Sequence, residues 1–207
     1  MIVFGLQNVK YFPLHQKINI DLYPVDFSDP DNVDKLTPQL IEKYKYIDLF
    51  YNNAGVGSRD FPGDTPTTKD WLRMLNINTA SSYILTHAIA EIMKKQKSGY
   101  IINTSSMSGV RTLPRNHIYT ATKYAVTGYS EALFKELSHY GVRVTTICPS
   151  FVDTDMTEGA RIANEDKIQP SDIVNGIAYL LSLSQGAIIP RLEILCHKAA
   201  QKEFPLK

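Results

Sequence analysis

The chain has 207 residues, 43% hydrophobic and 21% charged, with a formal net charge of +1. That length suffices for one sizeable core in a single domain over residues 1–207, and the near-neutral balance offers no basic stripe for nucleic acid and no acidic tail. Cys148 and Cys196 are too few for a disulfide framework and lack metal-ligand company, while no stretch approaches the ~18 apolar residues of a membrane span. No metal and no membrane are therefore expected, and a reducing, cytoplasmic compartment is.

In chain order, Ile2 to Gly5 reads as a strand, and Ile18 to Val25 as a second that ends in Asp26-Phe-Ser-Asp29. Asn32 to Tyr44 is a predicted helix. Ile47 to Gly55 is an apolar run closing on Asn52, Asn53, Ala54 and Gly55, which reads as a buried strand passing into a polar turn. Thr67-Thr-Lys-Asp70 has the form of a capping box, and the helix it starts runs towards Lys95. Gly99 to Gly109 repeats the strand-to-polar-loop pattern, with Ser105 and Ser106 at the exit. Asn116 to Tyr140 is the next helix, stopped by Gly141. A strand from Gly141 to Cys148 leads into Pro149-Ser-Phe-Val-Asp-Thr154. Pro170 to about Leu183 is a further helix, and Arg191 to Cys196 a last short strand.

Chemistry concentrates at Tyr119-Thr-Ala-Thr-Lys123. Residues at i and i+4 share one helix face, so the Lys123 ammonium can lie beside the Tyr119 phenol. A free tyrosine titrates near ~10, and a neighbouring cation favours its charged form, which makes the phenol usable as a proton donor or acceptor. The polar residues also gather at the C-terminal ends of three strands, where open parallel α/β sheets bind their ligands.

Asn52-Asn-Ala-Gly55, Ser106, Tyr119-x-x-x-Lys123 and Pro149-x-x-Val152-x-Thr154, in this order and spacing over residues 20 to 157, resemble the short-chain dehydrogenase/reductase family. The resemblance implies a Rossmann-type, doubly wound parallel sheet with its catalytic core at about 46–157. It also implies hydride transfer between NAD or NADP and a small carbonyl or alcohol substrate, in a homodimer or homotetramer. Tyr119 would exchange the proton, Lys123 would tune it and hold the nicotinamide ribose, and Ser106 would bind the substrate oxygen. Asn78 would open its helix locally so that a water links Lys123 to bulk solvent. Among cofactor-binding residues, Asp26 would meet the adenine ring, unless it caps the helix that follows. Asn53, Ala54 and Gly55 would line the adenine ribose, and Pro149, Val152 and Thr154 the nicotinamide. Ser150 stands where the family usually has glycine.

The resemblance also carries a conflict. Members open with a strand, a glycine-rich turn that cradles the cofactor pyrophosphate, and a helix; here Gly5 is the only glycine before Gly55. Met1 to Gly5 falls where the family's second strand belongs. In the family's sheet order, 3-2-1-4-5-6-7, the first strand and its helix would be missing from the centre, leaving strand edges unpaired and apolar side chains uncovered. An incomplete gene product, a catalytically silent protein that dimerises with a full-length relative, and an adapted fold are the competing expectations. Gly5-Leu-Gln-Asn8 carries neither the acid that would favour NAD nor the arginine that would favour NADP.

Overall fold

The computed structural model describes residues 2–5, 19, 21–57, 67–112, 116–160 and 162–203. Its elements follow the order β1 (Ile2–Gly5), β2 (Asp21–Pro24), α1 (Pro30–Lys43), β3 (Leu49–Asn52), α2 (Thr68–Leu75), a π-helical turn (Asn76–Ala80), α3 (Ser81–Gln96), β4 (Gly99–Thr104), α4 (His117–Leu137), β5 (Val142–Pro149), α5 (Pro170–Ser182), β6 (Arg191–Ile194) and α6 (His197–Glu203). The expected elements are all present, with β2 shorter than expected; Ile18, its expected start, lies outside the described residues. Helix α6 was not anticipated, being short and without a cap motif in the sequence.

Among the described residues every strand pairing is parallel. The sheet is nevertheless in two parts: β1 pairs with β2, β3-β4-β5-β6 pair in sequential order, and no described strand joins the groups. The break lies between β1 and β3, where the resemblance puts the family's first strand. Uncovered apolar groups accompany it. Leu49 and Tyr51 of β3 are each 36% exposed.

Local chemistry sets the helix ends. The Asp29 carboxylate caps α1, accepting from the amides of Asp31 and Asn32 at 3.2 and 3.4 Å, with Pro30 pre-set at the first position. Asp26 is thus not the cap: its Oδ1 accepts from the Ser28 amide at 2.8 Å instead. At α2 the predicted capping box forms, Thr67 Oγ1 accepting from the Asp70 amide at 3.2 Å and Asp70 Oδ2 from the Thr67 amide at 2.9 Å. Beyond α4, Gly141 takes φ 72°, and a Cβ there would lie 2.8 Å from the Lys97 carbonyl oxygen, so glycine suits both backbone and space.

Side-chain alternation divides the core between two sheet faces. Phe50, Ile101, Val142 and Val144 point to one face and pack with Leu85, Ile89 and Met93 of α3 and Leu133 and Leu137 of α4. Tyr100, Ile102 and Ile147 point to the other, where Ile177 and Leu180 of α5 and Leu192 and Ile194 of β6 meet them. The first cluster is much the larger. Buried amides bind it from within: Asn52 Nδ2 donates to Ser82 Oγ at 2.7 Å and Asn103 Nδ2 to Ser130 Oγ at 2.9 Å, joining β3 and β4 to the helices above.

Candidate active site

Strand β4 ends at Thr104, and the chain turns through Ser105 and Ser106 into a 3-10 turn, Met107–Gly109. Gly109 lets this turn lie against α4. A Cβ there would stand 2.6 Å from the Lys123 carbonyl oxygen and closer still to Ser105 Oγ. The two serines are thereby separated. Ser105 Oγ donates to the Lys123 carbonyl at 2.9 Å and is tied to α4. Ser106 Oγ accepts from the Ser108 amide at 3.1 Å and reaches the Pro149 carbonyl at 3.5 Å.

Helix α4 places Tyr119 and Lys123 one turn apart, with Lys123 Nζ 5.7 Å from the centre of the Tyr119 ring. Lys123 is buried. Its Nζ donates to the Thr104 carbonyl at 3.1 Å, and loss of hydration pushes the ammonium down from an ordinary 10.5 to about 8. Among the described residues Thr104 O is its one hydrogen-bond acceptor, so two N–H donors remain for a ligand. The Thr104 hydroxyl is also buried in the cavity wall, beside the Tyr51 phenol.

Asn78 lies in the π-helical turn that interrupts the helix between α2 and α3, the local opening expected of it. Its side chain clasps the loop after β3: Oδ1 accepts from the Val56 amide at 2.8 Å, and Nδ2 donates to the Val56 carbonyl at 3.0 Å and to Thr122 Oγ1 at 3.2 Å. A Cβ on Gly55 would lie 3.2 Å from Asn78 Oδ1 and 3.5 Å from Lys123 Nζ, so the small residue brings this loop close to both.

A cavity of 620 Å³ opens at the C-terminal ends of β3, β4 and β5. Tyr119, Lys123, Ser106, Asn53 and Gly55 line it, as do Pro149, Val152 and Thr154 from the segment after β5. Ala54 is exposed and does not line it, and Asn78 supports it from beneath Gly55. Asp26 is not brought here; it borders a separate hollow between the end of β2 and α1, where the Ser28 amide holds its carboxyl below the usual range. Leu6 to Asn8, read above for cofactor choice, lie outside the described residues.

Further residues line the cavity. Tyr51 reaches it from β3, and Asp155, Met156, Ile173 and Ile177 reach it because α5 and the segment before it fold over the sheet ends. Ser150 fits without strain. Lys97 is the one described non-glycine residue at positive φ, so position 150 does not require glycine, and Ser150 Oγ accepts from the Cys196 amide at 2.6 Å, tying the site to the end of β6. Cys148 and Cys196 are buried free thiols, and burial pushes Cys148 up to about 11, leaving it neutral and inert.

The sequence profile of the family described as short chain dehydrogenase matches residues 7–165. The chain belongs to the short-chain dehydrogenase family. An uncharacterized oxidoreductase of Staphylococcus epidermidis is 30% identical over 184 residues, 88% of this chain and 80% of that protein. A 3-oxoacyl-[acyl-carrier-protein] reductase of Synechocystis is 37% identical over 172 residues, 78% of this chain and 68% of its own length. The crystal structure of a betaketoacyl-[ACP] reductase from Bacteroides thetaiotaomicron superposes with TM-score 0.71 at 32% identity, covering 86% of this chain and 74% of that one. This short-chain dehydrogenase is accordingly an NAD(P)-dependent oxidoreductase with a Rossmann-type sheet. Among its described residues, no helix is long and apolar enough to cross a membrane.

Proposed function

We propose that the cavity carries out reversible reduction of a small carbonyl compound, with Tyr119, Lys123 and Ser106 as its working groups. One observation carries the reading: a buried ammonium, Lys123, stands beside Tyr119 at the cavity wall with two donors unspent. Those donors suit vicinal hydroxyls, and they fit the nicotinamide ribose of NAD or NADP. When bound, that cofactor supplies the hydride, two electrons and one proton's mass, to the carbonyl carbon.

The chain's own residues do the rest. Tyr119 gives its phenolic proton to the carbonyl oxygen as negative charge develops there, and takes a proton back in alcohol oxidation. The Lys123 cation stabilises negative charge left on the Tyr119 oxygen. Ser106, whose hydroxyl is not committed to α4 as that of Ser105 is, holds the substrate oxygen. Asn78 fixes the Val56 backbone and so places Asn53 and Gly55 along the ribose, with a solvent link to Lys123 assigned to the same opening. Pro149, Val152 and Thr154 form the nicotinamide side, and Ala54 and Asp26, outside the cavity, belong to the adenosine end. A single-domain, cytoplasmic homo-oligomer completes the proposal. Two buried reduced thiols and the exposed Tyr83 and Tyr124 on α3 and α4 support it.

Fluorescence titration of the folded chain with NADH and with NADPH tests the reading, together with turnover of a panel of carbonyl compounds. Saturable binding is expected. Tyr119→Phe is expected to keep that binding and lose about 10²- to 10⁴-fold in kcat, the usual worth of a positioned acid–base group. A folded chain that binds neither cofactor would sink the proposal in favour of a silent partner of a full-length relative.

A further inference from the structure

The segment between β5 and α5 supplies Thr154, Asp155, Met156 and Thr157 to the cavity, yet Asp155–Thr157 and Asn164–Asp166 form only single 3-10 turns. Turns this short do not hold a wall in place by their own hydrogen bonds. Something else must. At the end of the segment lies a second buried lysine, Lys167, whose side chain is 1% exposed. The mechanism makes no use of it.

The Lys167 ammonium is fully engaged. Nζ donates to Asn164 Oδ1 at 2.7 Å and to the Thr157 carbonyl at 3.0 Å, and pairs with Asp153 Oδ1 at 3.5 Å. Three donors thus meet three oxygens drawn from the start, middle and end of one segment. A parallel bridge closes the same loop at its base: the Asp153 amide donates to the Ile168 carbonyl at 2.8 Å, and the Ile168 amide to the Phe151 carbonyl at 2.9 Å. The Cys196 thiol adds a contact to the Asp166 carbonyl at 3.2 Å. Burial of an ammonium away from water is costly unless it is paired, so an apolar residue at 167 would serve better if filling space were the only task.

We propose that Lys167 is a positioning residue for the cavity, an internal cross-link that sets where Thr154, Asp155 and Met156 stand. The inference rests on the reading of this cavity as the hydride-transfer site. Without the ammonium, Asp153, Asn164 and the Thr157 carbonyl lose their common donor. The wall over the substrate and nicotinamide side then samples several positions, while Tyr119, Lys123 and Ser106, held by α4 and β4, stay where they are.

The test compares wild type, Lys167→Met and Lys167→Arg in the full chain by amide hydrogen exchange, NADPH titration and steady-state kinetics. In Lys167→Met, amides in 151–157 and 164–168 are expected to exchange at least about tenfold faster, with β4 and β5 unchanged. KM is expected to rise about tenfold while kcat stays within about twofold, because ordering of the wall is lost and the acid–base groups are not. Lys167→Arg is expected to recover most of both, since it keeps charge and donors.

Unaltered exchange in the segment overturns the proposal. So does faster exchange throughout the sheet, which makes Lys167 a residue of general stability, and so does equal behaviour of the Arg and Met variants. Should wild type bind neither NADH nor NADPH, the hydride-transfer reading falls, and the exchange comparison still decides whether Lys167 orders the segment.

Discussion

The two faces of the four-stranded sheet are built unequally. One face is closed: Ile101, Val142 and Val144 lie under α3 and α4, and the amides of Asn52 and Asn103 are satisfied by hydroxyls from those helices. The other is closed only towards β6, where α5 covers Ile102 and Ile147, and towards β3 it leaves Leu49 and Tyr51 partly in water. The division follows the chemistry. Lys123, Ser105 and Asn78 are held on the side of the closed face, while the cavity opens beside Tyr51 and α5. Reactive groups need a rigid support and a ligand needs room, and one sheet supplies both by packing its faces differently.

The contrast can be broken most severely from the closed side. Ile101→Ala removes a side chain with no exposure and is expected to cost about 2–5 kcal/mol in a urea denaturation series, because α3 and α4 cannot collapse into the space. A loss under about 1 kcal/mol would show that this face is not close-packed.

Lys123 allows a sharper test, through pH. Its ammonium, about 8 in the folded chain against an ordinary 10.5, is released from its proton earlier when folded than when unfolded. Between pH 8 and 10.5 the unfolded chain therefore holds a proton that the folded chain has lost, and stability rises with pH across that window. Lys123→Met should be more stable than wild type at pH 7 by roughly 3 kcal/mol, with the advantage shrinking as pH climbs through the window. Denaturation midpoints at pH 7 and pH 10 measure it. No difference between the two pH values would mean that the ammonium is hydrated in solution.

The open face gives the smallest effect. Leu49→Thr, at a 36% exposed strand position, is expected to change stability by no more than about 0.5 kcal/mol and to make the protein less prone to associate, as sedimentation would report. A cost near that of Ile101→Ala would show that Leu49 is covered in solution, and the two faces would then be alike.

Legibility in the sequence followed the range of the interaction. The Thr67 and Asp70 cap, the Gly141 stop and the Tyr119 and Lys123 pair were readable because each is settled within four residues by helix geometry or a single φ. Asp26 shows the limit. A carboxylate at the end of β2 was an acceptable cap by type, and only the course of the chain through Ser28 gave the cap to Asp29. Residue type alone could not show that Ser150 would hold the Cys196 amide or that Lys167 would gather Asp153, Thr157 and Asn164.

By itself, then, the sequence determined the alternation of strands and helices, the family, and the one-turn spacing of Tyr119 and Lys123, since those depend on local spacing and on residue types with few chemical uses. The tertiary structure alone decided which face is closed, which residues line the cavity and which buried lysine has donors to spare. Each of those is a matter of groups far apart in the chain competing for the same space and the same hydrogen bonds, and that competition leaves no mark in any short run of residues.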